Sequence, residues 1–211
     1  MNRKMRKYTD IKKLTDNRFL NLYEMDALAG DGTPFHYYFA SRNREDDLPL
    51  KTGKIPANGI VIYALWKEDP SKIVMIRQYR YPLDAYLYEL PAGLIDEGET
   101  AREAAIREMK EETGLTFEPF TDGDEAFEKP YFLGAGLTDE TSTSVFGYAS
   151  GKISDAYLEK TESIEVLLAD RQKALELMRK ERISLRAAFL LMLFLNQDKR
   201  NPFAFLKKDS D

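Results

Sequence analysis

Three carboxylates, Glu108, Glu111 and Glu112, fall within one turn near the end of the stretch GLIDEGETAREAAIREMKEETGL, Gly93 to Leu115. Thr100 followed three residues later by Glu103 has the pattern of a capping box, and Gly114 sits where a helix-ending glycine belongs, so the spacing predicts a helix over 101–113. Like charges one turn apart cost about 0.2–0.5 kcal/mol a pair, and anions near a helix C-terminus are also opposed by the helix dipole. At about 100° per residue, Ala101, Ala104 and Ala105 share an angular sector with Glu108 and Glu112, and Glu111 lies beside it. A solvated acidic face would lie opposite the alanines. Acids on the face that packs must be protonated or neutralised, and a bound divalent cation neutralises them without shifting every pKa.

The rest of the inventory narrows which cation. The chain has no cysteine and a single histidine, His36, so thiolate sites and histidine-rich zinc sites are excluded and oxygen ligands remain, which suits Mg²⁺ or Mn²⁺. The preceding ELPAGLIDEGE turns out of an apolar strand through Pro91, Ala92 and Gly93, where backbone carbonyls can add a neutral oxygen. Glu99 is either a partner of the helix dipole or an outer member of the cluster.

Charge and length bound the partners. A formal net charge of -5 with both signs mixed gives no basic face for nucleic acid. The basic start lacks the apolar core of a signal peptide, and AAFLLMLFL, Ala187 to Leu195, is too short to span a bilayer, so no membrane association and a cytoplasmic location are expected. The 211 residues suffice for one core and an appendage.

Positioning the acids requires a scaffold. Residues 1 to 15 read as a frayed or helical lead-in. FLNLYEMDAL and FHYYFAS read as an antiparallel hairpin closed by AGDGTP. GIVIYALW, KIVMIRQYRY and YLYEL follow as core strands, then the helix, a long acidic connection FEPFTDGDEAFEKP, and strands around YFLGA, STSVFGYAS and SIEVLLA. Helices close the chain at about 170–180 and 184–196. Strands with interspersed helices indicate an α/β (α+β) fold with a mixed sheet between helices. Residues 1–55 form the N-terminal strand region, 56–200 the core domain and 201–211 a tail.

The spacing Gly93, five residues, Glu99, seven residues, then Arg107-Glu108-Met109-Lys110-Glu111-Glu112-Thr113-Gly114-Leu115 resembles an intact Nudix box. IRQYRYP, ELPAGLIDEGE and IEVLLADRQKALELM extend the likeness to the ADP-ribose and nucleoside-diphosphate-sugar pyrophosphatase branch. The resemblance implies an α/β/α sandwich and a Mg²⁺-dependent hydrolase that cuts a diphosphate into a nucleoside monophosphate and a sugar phosphate. It implies Glu108 and Glu112 as metal ligands, the Ala92 carbonyl as a third, Glu111 as a supporting ligand and Arg107 as the group that orients the carboxylates. The resemblance also implies a general base from a later loop, either Glu140 of GAGLTDETSTS or Glu162 of TESIEV, and Glu140 is favoured.

By the same resemblance Arg80 contacts phosphate and Glu89 the substrate or metal shell. Strand alternation puts Arg80 and Gln78 on one face and Arg77 and Tyr79 on the other, so one arginine faces the site. Phe35, Tyr37, Phe39 and Trp66 read as core or dimer contacts, and the resemblance implies a homodimer in which the N-terminal strands complete the partner's pocket. By the resemblance, adjacent Pro130 and Tyr131 give a mixed subfamily marker: the proline favours ADP-ribose, the tyrosine leaves dinucleoside polyphosphates open. A non-catalytic nucleotide-sugar sensor is the rival, opposed by the costly intact acid cluster.

Overall fold

Gly59–Trp66 forms a strand, β4, buried at every position but its last, and a strand covered on both faces belongs in the interior of a sheet. In the computed structural model, which describes residues 7–207, β4 lies third in the order β11 (Ile164–Asp170), β5 (Lys72–Arg80), β4, β10 (Thr141–Ser150), β8 (Thr116–Pro119); β6 (Ala85–Glu89) pairs with β5 and β7 (Ala92–Leu94) with β4. The sheet is mixed and sandwiched by helices, the α/β fold expected. Alternation divides its two faces. Ile60, Ile62 and Val74 pack with Ala104, Ala105 and Met109 of α2 (Ala101–Thr113). Val61, Tyr63, Leu65, Ile73 and Met75 pack with Ala174 and Leu177 of α3 (Arg171–Lys180) and with Ala187, Leu191 and Phe194 of α4 (Leu185–Asn196). Phe203 and Leu206, from the segment read as a tail, are buried in that same core.

These elements make up one compact unit, Ala57–Lys129 with residues from Thr143 onward; the other comprises residues up to Pro56 with Pro130–Ser142. The latter is built on a three-stranded antiparallel sheet of β1 (Tyr8–Lys13), β2 (Asn21–Leu28) and β3 (Pro34–Ser41). Its core is Ile11, Tyr23, Phe39 and Leu48, with Tyr23 stacked on Phe39 at 5.3 Å. The helical turn α1 (Pro49–Thr52) follows, and β9 (Tyr131–Phe132) pairs with the first two residues of β10.

β1 corrects the lead-in reading of residues 1–15, of which residues 1–6 lie outside the described residues. Ile11 is its single buried position, so its local pattern is too weak to announce a strand, and pairing with β2 decides it. β7 and β8 were likewise hidden, β7 inside a loop reading and β8 inside the acidic connection. Both are short, with three and four residues, below the length at which alternation is legible.

Candidate functional site

The helix carrying the acids forms as its sequence directs. Thr100 Oγ1 accepts the Glu103 N–H while the Glu103 carboxylate accepts from the Thr100 N–H at 2.8 Å, and Gly114 ends the helix in the left-handed region at φ 74°. A side chain at Gly114 would also meet Ser154 at 2.7 Å, so this glycine both turns the chain and admits the β10–β11 connection against α2.

Packing the alanine face on the sheet carries Glu112 inward with it. Glu112 is 2% exposed, and its Oε2 accepts the Ala92 N–H at 3.0 Å. Burial pushes its carboxyl well above the ordinary range, and the charges of Glu108 and Glu162 push the same way. Glu108 is mostly buried and is raised to about 6, again chiefly by burial, although the Arg107 guanidinium opposes the shift. Glu111 is more open, with 43% of its side chain exposed.

Arg107 binds this group together. Its Nε and one terminal nitrogen grip Glu99 at 3.0 and 2.9 Å, a two-point contact suited to a guanidinium; its other terminal nitrogen donates to Glu108 at 2.8 Å and Glu111 at 2.9 Å. A further bond reaches the Leu94 carbonyl. Glu99 is therefore the anchor of Arg107, which the sequence had left open between two roles.

Around the acids stand the residues expected from the core strands. Arg80 Nε donates to Glu89 at 2.6 Å, and Glu89 is buried. Arg80 stands on the α2 side of β5, in alternation with Val74, and its charge opposes the raised pKa of both Glu112 and Glu162. Arg77 instead makes two 3.0 Å bonds to Glu165 on the opposite face, as the alternation requires. Glu162, half-buried, is raised by burial and by the charges of Glu159 and Glu111. The structure thus brings Arg80, Glu89, Ala92, Arg107, Glu108, Glu111, Glu112 and Glu162 into one unit. Glu140 belongs to the other unit, where Arg42 Nε holds it at 2.9 Å.

The donor set fits a hard divalent cation. It is all oxygen, it holds more negative charge than Arg107 alone offsets, and it includes a carboxylate buried with a single backbone N–H on it. Gly93 adds to the fit: a Cβ there would lie 1.9 Å from Glu108 Cδ, so its absence is what leaves room for that carboxyl group. Elsewhere, Glu24, Asp26 and His36 converge with ligand atoms within 4.8 Å of one another. They form a mostly exposed polar group on the β2–β3 hairpin, with His36 Nδ1 2.9 Å from Glu24 and 3.1 Å from Asp26, a convergence across strands that sequence spacing does not announce.

The model of the NUDIX domain family matches residues 56–184. The putative nudix hydrolase 2 of Caenorhabditis elegans is 43% identical over 122 residues, 54% of this chain and 52% of that protein. The ADP-ribose pyrophosphatase of Saccharomyces cerevisiae is 31% identical over 137 residues, 63% of this chain and 59% of that one. The chain thus spans between half and three fifths of the length of these two relatives. A crystal structure described as an ADP compounds hydrolase superposes with a TM-score of 0.67 at 18% identity, covering 90% of this chain and 94% of the other, which shows the shared fold. No helix among the described residues is long and apolar enough to cross a membrane.

Proposed function

Because the chain belongs to the Nudix family, we propose that it hydrolyses the diphosphate bond of ADP-ribose or a related nucleoside diphosphate sugar, with Mg²⁺ as cofactor and Mn²⁺ as a substitute. The products would be a nucleoside monophosphate and a sugar phosphate. The observation that carries this reading is the partly neutralised carboxylate cluster of α2, with Glu112 buried and Glu108 mostly buried on the face that packs on the sheet and Glu111 at its open edge. Folding alone gains nothing from it.

Glu108, Glu112 and the Ala92 carbonyl would hold the cation, with Glu111 supporting. When bound, a divalent ion supplies positive charge beside the diphosphate and lowers the pKa of a coordinated water. The protein's own groups do the rest. Arg107 bridges Glu108 and Glu111 through one nitrogen and aims them. Glu89 takes Arg80 Nε, which leaves the terminal nitrogens of Arg80 for a phosphate oxygen. Glu162 accepts the proton of the attacking water, and its raised affinity for a proton suits a base at neutral pH.

Glu162 is preferred to Glu140 because its charge acts on Glu108 and Glu112, whereas the carboxylate of Glu140 is neutralised by Arg42. A homodimer is part of the proposal: Phe35, Tyr38 and Leu137 are exposed on the N-terminal unit, apolar surface that a second copy would cover. A cytoplasmic location is retained with it. Incubation of the purified protein with ADP-ribose, ADP-glucose, GDP-mannose and diadenosine polyphosphates in Mg²⁺, with product identification, tests the reading. Turnover of ADP-ribose or a sugar nucleotide supports it, and binding without product in either Mg²⁺ or Mn²⁺ favours the sensor instead.

A further inference from the structure

Glu162 sits in an energetically awkward place. Its carboxyl is half-buried, and burial together with the charges of Glu159 and Glu111 raises its pKa. Its own local bonds are modest: the Glu162 N–H donates to the Glu159 carbonyl at 3.0 Å and its carboxylate accepts the Glu159 N–H at 3.2 Å. Something else must hold it.

The residues on either side of it supply the answer. Tyr86 Oη and Ser163 Oγ share a hydrogen bond of 2.9 Å, the Tyr79 N–H donates to the Ser163 carbonyl at 3.1 Å, and Tyr81 Oη donates to the Thr161 carbonyl at 3.3 Å. All three partners belong to the β5–β6 hairpin, the one that carries Arg80 and Glu89. The tyrosines form a cluster of their own: Tyr79 lies edge-on to Tyr81 at 5.0 Å and to Tyr86 at 5.4 Å, and the Arg77 guanidinium covers the Tyr86 ring at 4.0 Å. Tyr79 Oη also donates to Asp84 at 2.5 Å. Asp84 has φ 46°, a left-handed conformation uncommon for a side chain other than glycine, so Tyr79 steadies the tight turn that presents Tyr81.

Alternation gives this cluster its meaning. Tyr79 opposes Tyr86, Arg77 opposes Glu165, and Gln78 opposes Ile164. Ser163 and Glu165 therefore share the tyrosine face, on the side of α3 and α4. Ile164, Gln78 and Arg80 share the side of α2 with the acids. The Tyr86 bond to Ser163 is thus made from the side of the sheet away from α2, the opposite side from Arg80 and the acids.

We propose that Tyr81 and Tyr86 are positioning residues that fasten residues 161–163 to the β5–β6 hairpin from the side away from α2, and so fix where Glu162 stands on the α2 side of the sheet. This rests on the reading of Glu162 as the base. It makes the spacing between Arg80 and Glu162 a property of one hairpin and its tyrosines rather than of the long β10–β11 connection.

The test uses the metal-free protein and the double variant Tyr81→Phe/Tyr86→Phe, which keeps both rings and removes only the hydroxyls. Hydrogen exchange should speed up about tenfold in the peptide spanning 158–164, as expected for losing two hydrogen bonds, with α3 and α4 unchanged. In Mg²⁺ the same variant should lose several-fold in kcat with KM within about twofold, the pattern of a misplaced base rather than weakened binding. Ser163→Ala should reproduce Tyr86→Phe and add little to it in combination. Unchanged exchange, or exchange raised throughout the protein, overturns the inference. So does full kcat in the double variant when Glu162→Gln is inactive. Full turnover in Glu162→Gln would instead remove the reading of Glu162 as the base, and the exchange result would still decide whether the tyrosines hold the segment.

Discussion

Gly93 faces the Glu108 carboxyl group so closely that a Cβ on Gly93 would lie 1.9 Å from Glu108 Cδ and 2.0 Å from Oε1. The glycine and the acid are 15 positions apart, yet the first is the space the second occupies. Gly93→Ala should therefore drive Glu108 out of its place. Overpacking of this kind costs about 1–3 kcal/mol, so thermal unfolding should show a lowered Tm, and turnover should be lost even where the variant remains folded.

Glu112 illustrates stability spent on chemistry. Its carboxyl is buried and held well above its ordinary pKa, so the charged form is penalised in the absence of metal. Glu112→Gln should be at least as stable as the wild type in metal-free buffer near neutral pH, and should fall by more than about a hundredfold in turnover, since outer-shell losses alone reach that size. Denaturant unfolding in chelator alongside a product assay checks both halves.

The shift at Glu108 sets a pH window. Its carboxyl stands at about 6 in the folded protein against an ordinary 4.5, so between those values the folded state holds a proton that the unfolded state has released. Stability of the metal-free protein from this group therefore falls as pH rises through the window, by about 2 kcal/mol in total. Below the window both states are protonated and the penalty is absent; above it the penalty is complete. The Tm of Glu108→Gln minus that of the wild type, both in chelator, should grow across this interval, and saturating Mg²⁺ should shrink or reverse the difference above it.

Arg107 donates in two directions from one plane, to Glu99 by a two-point grip and to Glu108 and Glu111 by a single nitrogen. A lysine keeps the charge but offers no fork. Arg107→Lys should lose most of the activity, by about 10–100-fold, with Mg²⁺ dependence shifted to higher concentrations, read from turnover against metal concentration.

Glu162 and Glu140 are separated by their surroundings. Glu162→Gln should lower kcat by about 10²–10⁴-fold with substrate affinity kept, and Glu140→Gln should leave kcat within about tenfold. Steady-state kinetics with both variants settles the order, and the reverse pattern would return the role to Glu140.

Much of this was legible in the chain because local rules decided it. The capping box, the terminal Gly114 and the alanine spacing of 101–113 fixed α2 and the face its acids take, and alternation along IRQYRY separated Arg80 from Arg77. What was hidden depends on contacts distant in sequence. β1 exists through β2, the role of Gly93 depends on Glu108 lying over it, and the anchoring of Arg107 by Glu99 needs the loop to fold back. The loop glutamates offered no periodicity to rank them, so only their partners, Arg42 for Glu140 and the acids of α2 for Glu162, set them apart.

Hydrolysis of ADP-ribose by wild type and Glu112→Gln, each with Mg²⁺ and with chelator, tests the central claim most directly. The account predicts AMP and ribose 5-phosphate from the wild type with Mg²⁺ only, and neither from a folded Glu112→Gln. Equal turnover by the variant, or turnover indifferent to chelator, would contradict the assignment of the α2 carboxylates to a metal-assisted reaction.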